Sequence, residues 1–376
     1  MAQRLISADD HVDLSHETIK SFLDPRYHDA YTQALRDFGA SMGALRSNES
    51  NQAWRDQEGV TTEGRVGMGT GGNGHAGRAG HTNAAARLAD MDTDGVQASS
   101  TYCEVSAFRY LYLVKDGWKE ATRAFNTALW DFASAAPERL IVSFQIPIHD
   151  IDAAVAEVAW AASIGCKSLQ LPVFPAELGL PDYWDRRYDP LWRAISDTGL
   201  PICCHIGLNT QLEGLARRDP TPQKGIFVPM VALSAAEPLG MWVLTGVLER
   251  FPDLKVIFVE PGVGWVAWWL YTVDDLAARQ GYDFPGLKQA PSEYFRRNVY
   301  LTFIDEPDVI RHARDVIGIN NVMWSSDYPH PVTSWPRSQS IAAEATRGVP
   351  DAERELILSG NAARVWNLTV KSSGAM

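Results

Sequence analysis

The chain opens with Leu5-Ile-Ser-Ala-Asp-Asp-His11, a short and mostly apolar run that leads directly into two carboxylates and an imidazole. This pattern predicts a buried strand with polar side chains at its carboxyl end. Because side chains two residues apart point to the same face of a strand, Asp9 and His11 share a face. A carboxylate and an imidazole placed in this way are able to bind one metal ion. Taken alone, however, the stretch fits a helix-capping aspartate beside a solvated histidine better than a metal site.

Similar strand ends recur along the chain, and this recurrence strengthens the metal interpretation. Three later apolar runs also end in residue types that bind metals: residues 201–204 lead into His205, residues 254–259 into Glu260, and residues 321–326 into Asp327. Single polar residues at strand ends are common, but a set of this composition is not. The four strand ends together favour one metal site on which several strands converge.

Composition excludes several classes of function. The chain has 376 residues, 45% of them hydrophobic and 21% charged, which is typical of a globular protein with a core. A formal net charge of −12 argues against binding to nucleic acid or to an anionic membrane surface. The N-terminus has no apolar signal-peptide region, and no run of about 18 apolar residues is evident. The four cysteines form no CxxC motif, so we expect reduced, buried thiols and a cytoplasmic location.

Strand and helix patterns alternate along the chain, with about eight strands that are each followed by helix. Such alternation is typical of parallel strands joined by right-handed crossovers. Eight strands predict an α/β fold that closes into a (β/α)8 TIM barrel, and an open doubly wound sheet is the alternative. In a barrel all four strand ends would meet at one mouth, whereas strands 1 and 8 of an open sheet would lie apart. We therefore expect one TIM-barrel domain over residues 1–376, with a C-terminal tail at 367–376.

Residues 44–80 differ from the rest of the chain because they are polar and then rich in glycine. Gly67, Gly69 and Gly72 formally match the G-x-G-x-x-G pattern. No predicted strand precedes these glycines and no helix opens at the third one, so the sequence does not predict a dinucleotide site. We interpret the segment as a flexible insertion after strand 1, with a lid over the barrel mouth as the functional alternative.

The motifs now identified resemble those of the amidohydrolase-related family, which includes aminocarboxymuconate-semialdehyde decarboxylase and resorcylate-type decarboxylases. The resemblance extends over residues 4–366. It rests on Asp-x-His after strand 1, His after strand 5, Phe-Pro-x-Leu before strand 6 and Ser-Asp-Tyr-Pro-His after strand 8. It implies a distorted TIM barrel whose metal is held by Asp9, His11, His205 and Asp327.

Glu260 departs from that family pattern. The decarboxylases and many hydrolases of the family carry a histidine after strand 6, which acts as an acid, a base or a ligand. A site rich in carboxylates and imidazoles suits non-haem iron, and Glu260 is placed to bridge two ions. The sequence is similar to a branch of this barrel family in which a diiron centre activates O2 and hydroxylates a bulky, often CoA-linked substrate, as in platensimycin-pathway diterpenoid hydroxylation.

Three hypotheses follow for function. The first is a non-haem diiron monooxygenase with two Fe ions that hydroxylates a bulky, apolar, terpenoid-like small molecule with O2. The alternative is a mononuclear Zn or Mn hydrolase or decarboxylase of a carboxylated small molecule, in which Asp327 takes up a proton and His330 is the acid. The third is a metal-free binding barrel, which is disfavoured because converging buried charges without a cation are costly.

Further side chains complete the predicted site. His330 is a candidate for both catalysis and metal binding, and His81 and Glu104 are weaker candidate ligands. Among the tryptophans near strands 6 and 8, Trp265 and Trp335 are expected to line an apolar substrate pocket. Arg337 is a candidate partner for an anionic substrate group, and a surface ion pair is its alternative role. The helix after strand 6 would suit a homodimer if its Trp and Leu side chains are exposed.

Overall fold

The computed structural model describes residues 3–41, 56–58, 78–103, 107–207, 212–221 and 225–369. Glu104, most of the glycine-rich insertion at 44–80 and residues 370–376 of the tail lie outside the described residues. The predictions made for them therefore stay predictions.

Eight parallel strands form one sheet whose spatial order follows the chain from first to last. They are β1 Leu5–Val12, β2 Val96–Cys103, β3 Leu140–Gln145, β4 Ser168–Gln170, β5 Ile202–His205, β6 Val256–Val259, β7 Val299–Phe303 and β8 Val322–Trp324. Each strand pairs in parallel with the next. The predicted (β/α)8 TIM barrel is confirmed.

Helices cover the outside of the barrel. They are α1 His16–Lys20, α2 His28–Ser41, α3 Ala84–Asp94, α4 Trp118–Ser134, α5 Ile151–Ser163, α6 Asp189–Thr198, α7 Glu213–Arg218, α8 Phe227–Leu233, α9 Ala236–Leu244, α10 Val247–Arg250, α11 Val266–Arg279, α12 Pro291–Asn298, α13 Pro307–Ile317, α14 Ser338–Ala345, α15 Asp351–Glu355 and α16 Asn361–Val365. A π-helical turn, Leu356–Gly360, connects the last two.

Alternation of side chains along the strands creates two apolar layers. Side chains that point into the barrel form the inner cluster, which includes Ile6, Ile141, Ile257 and Met323. The larger cluster joins the outward side chains of the strands to the helices. Burial on both faces explains why the strands read as nearly continuous apolar runs. The four cysteines are free and buried, as predicted.

The first strand carries polar side chains at its carboxyl end, as predicted. It continues from the apolar run through the polar residues to Val12, where it still pairs with β2. A register shift between Ser7 and Asp10 interrupts this pairing. At the mouth, the backbone NH of Asp327 donates to the carbonyl of Asp9 at 2.8 Å, which ties the segment after β8 to β1.

One helical segment of the described chain, Phe227–Leu244, is long and apolar enough to cross a membrane. The segment contains Ser234, Glu237 and two prolines, so it is not an uninterrupted apolar run. The segment consists of α8 and α9, and α9 buries Leu239 and Trp242 completely. A single segment of this kind is weak evidence of a membrane span, because core helices share its composition.

Candidate metal centre

Side chains from β1 and β5 converge inside the mouth of the barrel. The Nε2 atom of His205 lies 3.4 Å from Oδ1 of Asp9, and Nε2 of His11 lies 3.7 Å from the same oxygen. All three residues are buried. One ligand atom from each of them falls within 4.8 Å of the others, so a single ion is able to contact all three.

The segment after β8 adds a second group that shares His11. Oδ1 of Asp327 lies 3.1 Å from Nε2 of His11 and 3.0 Å from Nδ1 of His330. The rings of His11 and His330 stack with their centroids 3.7 Å apart. His11, Asp327 and His330 also satisfy the geometry for one ion. His11 is thus the link between two overlapping sets of metal-binding atoms.

Several polar atoms in this cluster are buried without a hydrogen bond of acceptable geometry among the described residues. They are both carboxylate oxygens of Asp9 and of Asp327, both ring nitrogens of His11, and Nε2 of His205. Buried polar atoms in folded proteins nearly always have a partner. Carboxylate oxygens and imidazole nitrogens at this spacing match the donor set of a divalent cation. The residues therefore fit a metal ion.

The orientation of His205 supports the same conclusion. Its Nδ1 atom lies 2.7 Å from the carbonyl oxygen of Ile206, which is only an acceptor, so Nδ1 carries the proton. In the neutral imidazole the lone pair is then on Nε2, the atom that lies 3.4 Å from Oδ1 of Asp9. A backbone carbonyl that fixes the tautomer in this way is a common feature of metal-binding histidines.

Electrostatics in the cluster reflect closely packed opposite charges. Burial alone would lower the pKa of His205, but the carboxylates of Asp9 and Glu260 raise it to about 9. Burial lowers the pKa of His11, which favours the neutral imidazole. Burial would raise the pKa of Asp327, yet the approach of His11 and His330 holds it below its usual value.

Glu260 stands at the edge of the cluster. Its Oε2 atom lies 3.9 Å from Nε2 of His205, and its side chain is 25% exposed. Burial and the charge of Asp327 raise the pKa of its carboxyl. Neither of the two metal-binding sets formed by the described residues includes Glu260. It lies beside these two sets of residues rather than within either of them.

The backbone at two strand ends is strained. Glu260 has φ 65° and Asp327 has φ 53°, a left-handed conformation that side chains other than glycine seldom adopt. Neighbouring strands hold both residues in place. The backbone NH of Glu260 donates to Oγ1 of Thr302 at 2.7 Å, and the backbone NH of Asp327 donates to the backbone carbonyl of Asp9. Strain of this kind clusters at functional sites.

The remaining predicted residues lie around the cluster. His81 is buried, and its carbonyl accepts from the NH of Asp13 at 2.9 Å, but its side chain is in neither metal-binding set. The indole of Trp265 donates to the carbonyl of Pro261 at 2.9 Å, next to Glu260.

The two residues predicted after β8 to contact substrate are placed differently from one another. Trp335 packs against Tyr328 at 6.0 Å between ring centroids and lies under the guanidinium of Arg78 at 3.8 Å. Arg337 is exposed. The structure thus places Trp335 within a cluster behind the metal-binding residues, and Arg337 on the surface.

The sequence did not reveal a buried ion pair directly behind the cluster. Arg87 and Asp10 are both buried, with Nη1 of Arg87 3.5 Å from Oδ2 of Asp10. A signal was available, because Arg87, Met91 and Asp94 fall on one face of α3 at helical spacing and all are buried. A charged residue on the apolar face of a helix indicates a buried partner.

Comparison with known proteins shows the family of this chain. The family model described as Amidohydrolase matches residues 75–368. An amidohydrolase from Mycobacterium avium subsp. paratuberculosis superposes with a TM-score of 0.73 and 19% identity, covering 97% of this chain and 100% of that one.

Two decarboxylases are similar in structure. The 5-carboxyvanillate decarboxylase of Sphingomonas paucimobilis gives a TM-score of 0.69 at 20% identity, covering 98% of this chain and 100% of that one. A dihydroxybenzoic acid decarboxylase from Polaromonas sp., with bound manganese and the inhibitor 2-nitroresorcinol, gives 0.66 at 16% identity and covers 97% of each chain. At these sequence identities, the structural similarity establishes a shared fold.

Proposed function

Since the chain belongs to the amidohydrolase family, we propose that it is a metal-dependent decarboxylase of a small hydroxylated aromatic acid. The observation that carries the proposal is the set of closely spaced, buried ligand atoms on Asp9, His11, His205 and Asp327 that make no hydrogen bond of acceptable geometry among the described residues. Manganese in the Polaromonas decarboxylase supports Mn2+ as the ion, and Zn2+ suits the same donors.

The four residues would hold one divalent ion, which supplies positive charge to bind and polarise a carboxylate or phenolate of the substrate. Decarboxylation breaks the bond between a ring carbon and the carboxyl carbon, and the electron pair stays on the ring carbon until a proton arrives. His330 is positioned to manage that proton, because its Nδ1 lies 3.0 Å from Oδ1 of Asp327 and its side chain is 18% exposed toward solvent. Asp327 orients the imidazole and stabilises its protonated form.

Glu260 is a further candidate for a role in this reaction. Its carboxylate lies 3.9 Å from Nε2 of His205, one of the four residues that would hold the ion, and its side chain is one-quarter exposed. A histidine occupies this position in the decarboxylases that the sequence resembles. We infer that Glu260 takes over the task of that histidine, which is to position the substrate and exchange a proton with it.

The diiron monooxygenase is the second candidate function. Two overlapping metal-binding sets share His11, and Glu260 adds a carboxylate, so the mouth offers ligands for two ions. The similar solved structures described above are decarboxylases or an amidohydrolase, and the one described with a metal holds manganese. The hydrolase and decarboxylase alternative therefore has the better support.

The test begins with protein purified without added metal. Metal content is measured by plasma mass spectrometry, and the same sample is assayed for CO2 release from 5-carboxyvanillate and 2,6-dihydroxybenzoate with Mn2+ or Zn2+, and for O2 uptake. The proposal expects about one Mn or Zn per chain and CO2 release that is lost in Asp327→Asn but kept in Asp315→Asn, which alters an exposed carboxylate.

Other outcomes decide against the decarboxylase. About two irons per chain with O2 uptake would replace it with the monooxygenase. If the Asp9→Asn and Asp327→Asn variants function as well as the wild type, the metal-free binding barrel becomes the preferred hypothesis.

A further inference from the structure

A buried charge network lies directly behind the metal-binding residues. The carboxylate of Asp10 accepts from the hydroxyls of Ser7 at 2.9 Å and Ser326 at 2.5 Å, and from the backbone NH of Tyr328 at 2.9 Å. Ser99 on β2 donates to its other oxygen. Asp10 thereby connects β1, β2 and the segment after β8. Of these elements, β1 and the segment after β8 carry three of the four proposed ligands.

Arg87 completes this network from α3. Its Nε atom donates to the carbonyl of Gly80 at 2.9 Å, and its Nη2 donates to the carbonyl of His11. Its Nη1 lies 3.5 Å from Asp10, and its guanidinium stacks on the ring of Tyr328 at 4.2 Å. One planar side chain thus contacts the backbone of a proposed ligand and the residue that follows another.

Asp10 is adjacent in sequence to two proposed ligands, and Arg87 stacks on the residue that follows a third. Asp10 stands between Asp9 and His11, and Tyr328 follows Asp327. The backbone also joins these segments, because the NH of His11 donates to the carbonyl of Tyr328 at 2.6 Å. A shift of the pair would therefore be transmitted to Asp9, His11 and Asp327 together.

We propose that Arg87 and Asp10 are a positioning pair that sets the relative placement of Asp9, His11 and Asp327 for metal binding. The inference rests on the proposed metal-dependent function. A buried ion pair is seldom the most stable solution for a core, since apolar side chains of similar volume often serve equally well. The directional hydrogen bonds of a guanidinium are what an apolar side chain lacks, and here they end on the carbonyls of His11 and Gly80.

The same network fixes the segment that precedes α3. Arg78 forms two hydrogen bonds with Asp90, at 3.0 and 2.6 Å, and the hydroxyl of Tyr328 also donates to Asp90. A Cβ added at Gly80 would collide with the hydroxyl of Tyr328 and lie 3.1 Å from Cα of Arg87. Residues 78–80 are held against the segment after β8 by contacts that Arg87 shares.

The experiment measures the Mn2+ dissociation constant by chelator competition in the wild type and in Arg87→Lys, Arg87→Met and Asp10→Asn. Arg123→Met is the matched control, because Arg123 also binds a carboxylate, Glu157, and stacks on Trp160 at 4.0 Å, but does so between α4 and α5. Residues that orient metal ligands typically contribute 10- to 100-fold to affinity. We expect Arg87→Met to weaken Mn2+ binding by that factor, Arg87→Lys by less, and Arg123→Met not at all.

The readouts separate positioning from simple stabilisation. Thermal unfolding of every metal-free variant shows how much stability each loses, and a merely structural role would give Arg87 and Arg123 variants the same Mn2+ affinity as the wild type. Unchanged affinity in the folded Arg87→Lys and Asp10→Asn variants would overturn the inference even if Arg87→Met does not fold. A wild type that binds no divalent ion would instead overturn the proposed function.

Discussion

His205 Nε2 lies 3.4 Å from Asp9 Oδ1, although the two residues stand on strands half a barrel apart. Both side chains point into the mouth, and only closure of the sheet brings them together. The proposed metal site therefore cannot form before the barrel closes. Metal binding and folding of the barrel should be thermodynamically coupled.

Removal of the metal should consequently lower the melting temperature. An ion that binds only the folded state stabilises it by about 2.7 kcal/mol when present at 100 times its dissociation constant. For a chain of this size we expect a shift of several degrees between Mn2+-loaded and chelator-treated protein, measured by differential scanning calorimetry. Asp9→Asn is the control, because it lacks a ligand and should show almost no difference. Equal shifts in both proteins would contradict a site at Asp9.

Replacement of His330 by Gln should reduce kcat without loss of the metal. His330 stacks on His11 and lies 3.0 Å from Asp327, and general acid–base catalysis typically contributes 10²- to 10⁴-fold. We expect a decrease in that range, with metal content kept because Asp9, His11, His205 and Asp327 remain. His312→Gln, at an exposed position, should leave kcat unchanged. Loss of the ion in His330→Gln would instead make His330 a ligand.

The fold and the core of the site could be predicted from the sequence because both depend on local patterns. Asp9, His205 and Asp327 each follow an apolar run, and the carboxyl ends of parallel strands in a barrel meet at one mouth. The distinction between closest ligands and neighbours could not be predicted, since Glu260 and His205 follow their strands in the same way. Only the three-dimensional arrangement places Glu260 at 3.9 Å from His205 and outside both metal-binding sets.

Contacts between residues that are distant in the sequence were the other feature that could not be predicted. Asp10 stands between two proposed ligands, yet its side chain faces Arg87 on α3, and a register shift interrupts β1 just before it. Trp335 was expected to line a pocket, and the structure packs it against Tyr328 and Arg78. The homodimer was predicted on condition that Trp and Leu side chains of the helix after β6 are exposed. On this helix, α11, Trp268 is 67% exposed whereas Leu270 is buried, and the homodimer stays a prediction.

The stability of the metal-free protein should fall as pH rises from 6.5 to 9. The pKa of His205 in the folded protein is raised to about 9, because Asp9 and Glu260 outweigh the effect of burial. Its stabilising contribution is complete below the ordinary value of 6.5 and is lost as pH passes 9. Burial and Asp327 raise the pKa of Glu260. The folded protein therefore binds a proton at Glu260 more tightly than the unfolded chain does, and this contribution to stability is also lost as pH rises.

Urea unfolding of the metal-free protein at pH 6.5 and pH 9 measures this effect, and we expect a decrease on the order of 2 kcal/mol. His205→Gln should show a smaller decrease, because only the contribution of Glu260 remains. Stability that is constant or rises over this interval would contradict the charge arrangement described for the cluster.

The loop that carries Glu260 should depend on Glu306. The carboxylate of Glu306 accepts from the backbone NH groups of Val263 and Gly264, each at 3.0 Å, and so holds the turn between β6 and α11. Loss of a partner for partly buried donors costs about 1–3 kcal/mol, so Glu306→Ala should lower the free energy of unfolding by that amount. It should also lower kcat/KM, since Glu260 stands on this loop. Glu344→Ala, which removes an exposed ion pair, should have an effect below about 0.5 kcal/mol.

Gly262 provides a coupled test of the same contact. Gly262 has φ 66°, and a Cβ added there would lie 2.8 Å from Oε1 of Glu306. In the wild type, Gly262→Ala should therefore be destabilising for two reasons, the left-handed backbone and the collision with Glu306. In the Glu306→Ala background only the backbone strain remains, so the same substitution should cost less, by at least about 0.5 kcal/mol. Chemical unfolding of the four proteins measures this coupling, and strictly additive effects would show that Glu306 does not hold the loop in the manner described.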